Sequence, residues 1–175
     1  MQQTIYNHVG NNKKLTHMKK IFLIILLFSI TKTFACSCLG TNGTLSQKVE
    51  KAFIQSDLIL TGTVIEMKII NKGKLKSSND PVIYKFEIIK TIKGKLKKEI
   101  IEIASEISGA SCGYRFELGS SYLVYARKST HFSSKTNNKF GFVTSICERN
   151  RILKDVKQKE IQKLENWIVK TKINY

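Results

Sequence analysis

The chain has 175 residues, a length that suits one compact domain better than two. It carries 30 lysine and arginine residues against 13 acidic residues, for a formal net charge of +17, and 42% of its residues are apolar. That apolar content excludes a wholly disordered chain, and the single proline excludes a proline-rich linker protein. Only one histidine, His131, follows residue 35, which excludes sites that need two or more histidines, such as those of most zinc hydrolases.

The basic charge raises the question of nucleic-acid binding. Phosphate and base recognition favour arginine for its planar, bidentate guanidinium. Only four of the 30 basic residues are arginine, and these are Arg115, Arg127, Arg149 and Arg151. We therefore interpret the charge as a lysine-coated surface, with an acidic partner or a membrane surface as the alternative.

The N-terminal segment has the pattern of a secretory signal peptide. Lys19 and Lys20 precede the apolar run Ile21–Ile30, and a short polar stretch then ends at Ala35. The run is too short for a membrane-spanning helix, which needs about 20 apolar residues. We predict a start at Met18, with residues 1–17 as an extension of no evident role. Residues 1–35 would then be removed by cleavage between Ala35 and Cys36, leaving an exported domain of residues 36–175.

The cysteine after the cleavage point leaves an alternative open. Lipoprotein signals also end at a cysteine, which is then acylated, and acylation would consume both the thiol and the amine of Cys36. The bulky Phe34, two residues before the cysteine, fits such a signal poorly. We expect a secreted, extracellular or periplasmic protein, and contact with a membrane only if Cys36 is lipidated.

The mature region begins with a predicted short helix over Ser46–Ser56. Apolar spacing then predicts five strands, within Leu58–Ile70, Val82–Ile88, Glu99–Ala104, Tyr122–Ala126 and Phe140–Cys147. Gly62 marks a kink or bulge, and the alternation slips at Ile89, which indicates a second bulge. From Asn150, a possible cap, helical spacing predicts an amphipathic helix over about 150–172.

Five strands between two terminal helices predict a mainly β fold. A five-stranded barrel of the OB type has the right strand count and size, although periodicity alone does not distinguish it from a sandwich.

Four cysteines follow the predicted cleavage site: Cys36, Cys38, Cys112 and Cys147. An even number in an exported chain predicts two disulfides. A bond between Cys36 and Cys38 would close a strained small ring, so two pairings remain, and both tie the mature N-terminus to distant segments. The alternative is a four-cysteine zinc site. Such sites usually have two close cysteine pairs, whereas Cys112 and Cys147 are 35 residues apart.

Several short motifs together resemble the inhibitory domain of the tissue inhibitor of metalloproteinases (TIMP) family. They are Cys36-Ser37-Cys38 directly after the signal peptide, Ala52-Phe53, Asp57-Leu58-Ile59, Gly62-Thr63-Val64, Ser111-Cys112-Gly113, Tyr122-Leu123-Val124 and Ile146-Cys147. Each fragment is short, but their order, their spacing and the export signal make the combination specific. The resemblance runs from Cys36 to about Cys147.

The resemblance implies a netrin-like OB-fold barrel in which Cys36 bonds to Cys112 and Cys38 bonds to Cys147. It also implies an inhibitory ridge of Cys36, Ser37 and Cys38. The α-amine and carbonyl of Cys36 would chelate the catalytic zinc of a target metalloprotease, and the Ser37 side chain would enter the protease's primed-side specificity pocket. A zinc metalloprotease is then the expected partner of a monomer that needs no cofactor.

The chain also departs from the family pattern. Animal members have six cysteines in this domain and a further disulfide-rich domain, whereas here a third bridge is absent and a lysine-rich helix follows. These differences keep an alternative open, namely a non-inhibitory exported OB-fold interaction module or an envelope lipoprotein.

Two other classes of function receive less support. Single-stranded nucleic acid binding would use stacking aromatics such as Tyr84, Phe86, Tyr122, Phe140 and Phe142, but residues at strand spacing are more often core. We expect no nucleic acid partner. Nothing in the sequence indicates that Glu87, Glu99 and Glu102 include a paired general acid and base. His131 lies in a polar loop, so we do not expect an enzyme.

Overall fold

Two helices flank six strands in the described part of the chain. The computed structural model describes residues 20, 36, 38, 42–71, 73, 77–134 and 141–173, with side chains up to residue 169. The elements in chain order are α1 (Leu45–Gln55), β1 (Leu58–Ile69), β2 (Pro81–Lys93), β3 (Ile100–Glu106), β4 (Ser121–Ser129), β5 (Gly141–Val143), β6 (Arg151–Ile152) and α2 (Gln158–Ile173). Short 3-10 turns lie at Gly109–Ser111 and Leu153–Asp155. Apart from Lys20, the predicted extension and signal peptide (residues 1–35) lie outside the described residues, as do Ser37 and Phe140.

Five of the strands close into a ring. The strand order is β1-β2-β3-β5-β4, and β1 also pairs with β4, which completes the circuit. The β3–β5 pairing is parallel, and the other pairings are antiparallel. The two-residue strand β6 pairs with β4 outside the ring. The predicted mainly β class with five principal strands, a short first helix and a C-terminal helix is confirmed.

Alternating side chains on β1 and β4 divide the core into two layers. Leu58 and Leu60 on β1 join Val124 on β4 inside the ring. Ile59 and Tyr125 point the other way and pack with residues of α1 and α2. This explains why the sequence of β4 is apolar at every position from 122 to 126: one face meets the ring interior and the other meets the helices.

Both predicted irregularities lie in the long pairing of β1 with β2. Thr61 pairs with Lys90 and Gly62 pairs with Ile88, so Ile89 is the extra residue of a bulge. A Cβ at position 62 would lie 2.7 Å from the Glu87 carbonyl oxygen, so the two strands approach closely only because residue 62 is glycine.

The segment after β5 differs from its prediction. Strand β5 covers only Gly141–Val143 of the predicted strand 140–147, and α2 begins at Gln158, eight residues later than Asn150. Asn150 is buried and does not cap the helix, because its side chain bonds to β4 and to residues 144 and 145. The apolar residues that suggested early helical turns, such as Ile152 and Val156, instead pack singly against the two core layers.

The aromatic residues considered for base stacking are mostly core. Tyr84, Phe86 and Tyr122 are each less than 5% exposed and surround Phe116 at ring-centroid distances of 4.9–5.0 Å. Phe142 is partly buried against the same cluster. Their interpretation as core residues is therefore confirmed for the described residues.

Candidate functional site

Two neighbouring disulfides fasten the start of the predicted mature chain. Cys36 is bonded to Cys112, with their Cα atoms 5.3 Å apart, and Cys38 is bonded to Cys147, with their Cα atoms 5.2 Å apart. The sulfur atoms of Cys36, Cys38 and Cys147 lie within 4.8 Å of one another. We call residues 36–38 the N-terminal ridge; its middle residue, Ser37, lies outside the described residues.

The two disulfides argue against the alternative hypothesis that the four cysteines bind zinc. A structural zinc site requires thiolate ligands. All four cysteines are in disulfides, and none is a free thiol. The close sulfur atoms are therefore the product of two adjacent bridges and offer no thiolate to a metal.

Cys112 is held by a tight turn. It follows the 3-10 turn Gly109–Ser111 with φ of 66°, and its N–H donates to the Gly109 carbonyl at 3.1 Å. The next N–H, that of Gly113, donates to the Ser108 carbonyl at 2.9 Å. A Cβ at Gly113 would lie 2.0 Å from the carbonyl oxygen of Glu106, the last residue of β3. Glycine at this position therefore lets the turn lie directly on the end of β3.

The turns that carry Cys112 and Cys147 are joined to each other. The buried Ser105 hydroxyl on β3 accepts from the Tyr114 N–H at 2.8 Å and donates to the Thr144 carbonyl at 2.9 Å. The Ile146 N–H donates directly to the Cys112 carbonyl at 2.9 Å. Both disulfide anchors thus belong to one hydrogen-bonded unit at the end of β3.

Asn150 fixes the segment behind Cys147. Its amide oxygen accepts from the Tyr125 N–H at 2.9 Å, and its amide nitrogen donates to the Thr144 hydroxyl at 2.7 Å. The Thr144 hydroxyl in turn donates to the Tyr125 carbonyl at 2.7 Å. Each of these buried polar groups is satisfied, so residues 144–150 are held on β4 without regular strand structure.

A buried ion pair connects the same segment to helix α2. Glu160 is 2% exposed and accepts two hydrogen bonds from the Arg149 guanidinium, at 2.7 and 2.8 Å, and one from the Tyr125 hydroxyl at 3.1 Å. Burial opposes the charge of Arg149, but the hydrogen bonds to Glu160 outweigh it and raise the pKa of the guanidinium. Burial and the negative charge of Glu160 also raise the pKa of Tyr125, so its hydroxyl stays protonated and serves as a donor.

The remaining titratable residues from the sequence analysis lie at the surface. The His131 side chain is 60% exposed, and its Nε2 lies 3.1 Å from a carboxylate oxygen of Glu106. Glu87, Glu99 and Glu102 are exposed on or beside β2 and β3. Ser105 was not predictable from the sequence, because a single serine on a strand gives no signal of a bridging role.

None of the described helices has the length and apolar character required to cross a membrane. No curated protein matches the chain. The family model described as tissue inhibitor of metalloproteinase matches residues 34–169, which include the N-terminal ridge, the strand ring and most of α2. Because that match covers more than half of its length, the chain belongs to the tissue inhibitor of metalloproteinase family.

Proposed function

We propose that the chain is an exported inhibitor of a zinc metalloendopeptidase, and that its mature form begins at Cys36. Membership of a family of secreted metalloproteinase inhibitors supports the general activity. The observation that carries the mechanism is the pair of disulfides that fasten the first and third residues of the proposed mature chain.

The backbone of Cys36 supplies two ligand atoms for the zinc of the target. A catalytic zinc keeps one coordination position open for water, and a bidentate group can displace that water. The side chain of Cys36 is engaged by Cys112, which leaves its α-amine and carbonyl oxygen as the available donors. An α-amine has a pKa of about 7.7–8.0, so a usable fraction is neutral near pH 7 and can donate its lone pair.

The anchoring of the ridge lowers the entropy cost of binding. Chain termini are normally frayed, and ordering them on binding costs free energy. Here both anchors sit on one hydrogen-bonded unit, because the Ile146 N–H donates to the Cys112 carbonyl. A ridge that is ordered beforehand can therefore use more of its contact energy for affinity.

Ser37 is proposed as the residue that enters the primed-side pocket of the protease. It stands between the two bridged cysteines in the sequence, although it lies outside the described residues. A small hydroxyl-bearing side chain would leave a deep apolar pocket mostly unfilled. We therefore expect replacement of Ser37 by larger apolar residues to change which proteases are inhibited.

The alternative of a lipidated Cys36 is less favoured. Lipidation of a lipoprotein cysteine attaches a diacylglyceryl group to the sulfur through a thioether and an acyl group to the amine, and the thioether uses the sulfur atom that bonds to Cys112. A lipidated chain would leave Cys112 without its partner, and its blocked amine could not bind zinc. Intact-mass analysis of the exported chain distinguishes the two forms, since only the thioether adds the mass of a lipid.

The test compares the chain beginning at Cys36 with the same chain preceded by Ala35. Both oxidised proteins are assayed against a panel of zinc endopeptidases, with a serine endopeptidase as the control. The expected result is inhibition of at least one zinc enzyme by the mature form and loss of that inhibition in the extended form. Equal inhibition by the two forms would contradict chelation through the Cys36 amine.

A further inference from the structure

A groove with an unusual content of arginine begins beside the N-terminal ridge. It has a volume of about 660 Å³ and runs from Cys147 between α1 and the segment around β6. The basic residues that line it are Lys48, Lys51, Arg115, Arg149 and Arg151. We call this surface the arginine groove.

The distribution of arginine singles out this surface. The chain has only four arginines among 30 basic residues, yet three of the four line the groove. The fourth, Arg127, forms an ion pair at 2.8 Å with Glu148, which also lines the groove. Arginine differs from lysine in its planar fork, which binds a carboxylate through two parallel hydrogen bonds. The three clustered guanidinium groups therefore supply hydrogen-bond donors suited to carboxylate recognition at this surface.

Two of these arginines remain available to a ligand. The guanidinium of Arg149 is already engaged by Glu160. Arg115 and Arg151 are exposed, and neither forms an ion pair with an acidic residue in the described part of the chain. The same holds for Lys48 and Lys51 on α1 among the described residues. Four basic groups therefore line the groove without an ion-pair partner among the described residues.

The rest of the lining favours a protein as the ligand. Three acidic residues, Glu117, Glu148 and Asp155, also line the groove, so a long polyanion of uniform charge would meet three carboxylates there. Tyr114 and Ile146, of which Ile146 is 42% exposed, add aromatic and apolar surface. Mixed charge together with arginine, tyrosine and an apolar residue is typical of protein–protein interfaces.

We propose that the arginine groove binds an acidic segment of the target metalloendopeptidase, at the surface that borders its active-site cleft. The assignment to a protease rests on the proposed function. Its reason is position: Cys147 lines the groove and is bonded to Cys38 of the ridge, so a ridge inserted in a cleft brings the groove against the rim of that cleft. Arg115 and Arg151 are then the residues that select targets with acidic rims.

The first test measures binding to the groove without any protease. The mature oxidised chain is titrated with acetyl-Glu-Glu-Glu-amide and, as a control, with acetyl-Gln-Gln-Gln-amide, while the side-chain Nε–H signals of its four arginines are followed by NMR. The acidic peptide is expected to shift the signals of Arg115 and Arg151 and to leave Arg127 unchanged. Absence of those shifts, or equal shifts with the neutral peptide, would overturn the proposal. Stronger binding of a heparin oligosaccharide at the same two arginines would overturn it in favour of a polysaccharide ligand.

The second test uses a zinc endopeptidase that the wild-type chain inhibits. The double variant Arg115→Gln/Arg151→Gln is compared with Lys97→Gln/Lys98→Gln, which removes the same charge from the exposed turn between β2 and β3. The arginine variant is expected to slow association about threefold to tenfold at low salt, and the difference should shrink at about 0.5 M salt. The lysine variant should change the rate less than about twofold.

The two proposals fail in different ways. If the arginine variant associates as fast as the lysine variant, the role of the groove is overturned while inhibition through Cys36 stands. If the wild-type chain inhibits no zinc endopeptidase, the protease assignment falls with the proposed function. The peptide titration then decides alone whether the groove binds acidic segments.

Discussion

Replacement of Gly113 by alanine tests whether the Cys112 turn depends on close contact with β3. The new Cβ would lie 2.0 Å from the carbonyl oxygen and 2.6 Å from the carbonyl carbon of Glu106. Ordinary contacts begin at 3.4 Å, so the turn and the strand end must separate by about 1.4 Å. The Ser108 carbonyl oxygen would also lie 2.9 Å from the new Cβ, and all three close atoms belong to the backbone, so no side-chain rotation can relieve the overlap.

The cost of Gly113→Ala follows from two contributions. Overpacking of this kind costs about 1–3 kcal/mol. Separation of the turn from β3 also strains the Gly113 N–H bond to Ser108 and the Ile146 N–H bond to Cys112, each of which contributes about 1 kcal/mol. We expect the free energy of unfolding to fall by about 3–5 kcal/mol, and the ridge to lose its fixed position.

Gly109→Ala is the matched control, because it lies in the same turn. Nothing lies within 4 Å of a Cβ built at Gly109, and its φ is outside the left-handed region. We expect a change of less than about 1 kcal/mol, in the stabilising direction. Urea unfolding of the oxidised proteins, followed by fluorescence of the single tryptophan Trp167, measures both values. If the two variants unfold within about 0.5 kcal/mol of each other, the close approach of the turn to β3 is refuted.

Two further predictions concern the anchors of the ridge. Replacing both Cys38 and Cys147 with alanine should lower the free energy of unfolding by about 4–5 kcal/mol, because the bridge spans 109 residues. A loss below about 1 kcal/mol in urea unfolding would contradict a role of this bridge in stability. Glu160→Gln should cost about 3 kcal/mol by leaving the largely buried Arg149 charge unbalanced. Glu165→Gln, which breaks the exposed pair with Lys90, should cost less than about 1 kcal/mol, and equal losses for the two glutamate variants would contradict the importance of the buried pair.

The individual strands were predictable because their signals are local, whereas the pairings of β1 with β4 and of β3 with β5 that close the ring are long-range contacts. Alternation places Tyr84 and Phe86 on the inner face of β2, and the slip at Ile89 marks the bulge where it occurs. The uninterrupted apolar run of β4 has a physical cause as well, since Val124 faces the ring interior and Tyr125 faces the helices. Such patterns are set by burial of neighbouring residues and can be read from a short window.

The segment 144–157 was not predictable in the same way. Asn150 has the residue type and position of a helix cap, but long-range bonds to Tyr125 and Thr144 determine where it lies. Ile152 pairs with Tyr122 on β4, a contact across 30 residues that no local spacing indicates. The predicted helix therefore began too early, because tertiary contacts overrode the local pattern.

The sequence predicted the ridge and missed the arginine groove. Cys36 and Cys38 lie two positions apart, directly after the predicted cleavage site, whereas the groove combines residues near positions 48, 115 and 150. The available signal was compositional. Arginine is scarce in this chain, and that scarcity argues against nucleic-acid binding but does not indicate that three of the four arginines lie together.

Helix α2 adds to the hold that the two disulfides have on the ridge, because it fixes the segment that follows Cys147. Glu160 on α2 holds Arg149, which lies two residues after the Cys147 anchor. Leu164, one turn further along the helix, is fully buried in the core layer between the strand ring and the helices. A bridge constrains a loop at one point, whereas this helix holds the segment behind Cys147 through a buried ion pair backed by apolar packing. Because neutralising Glu160 would leave Arg149 largely buried and unbalanced, we expect the position of the Cys147 segment to depend on α2 as well as on the disulfides.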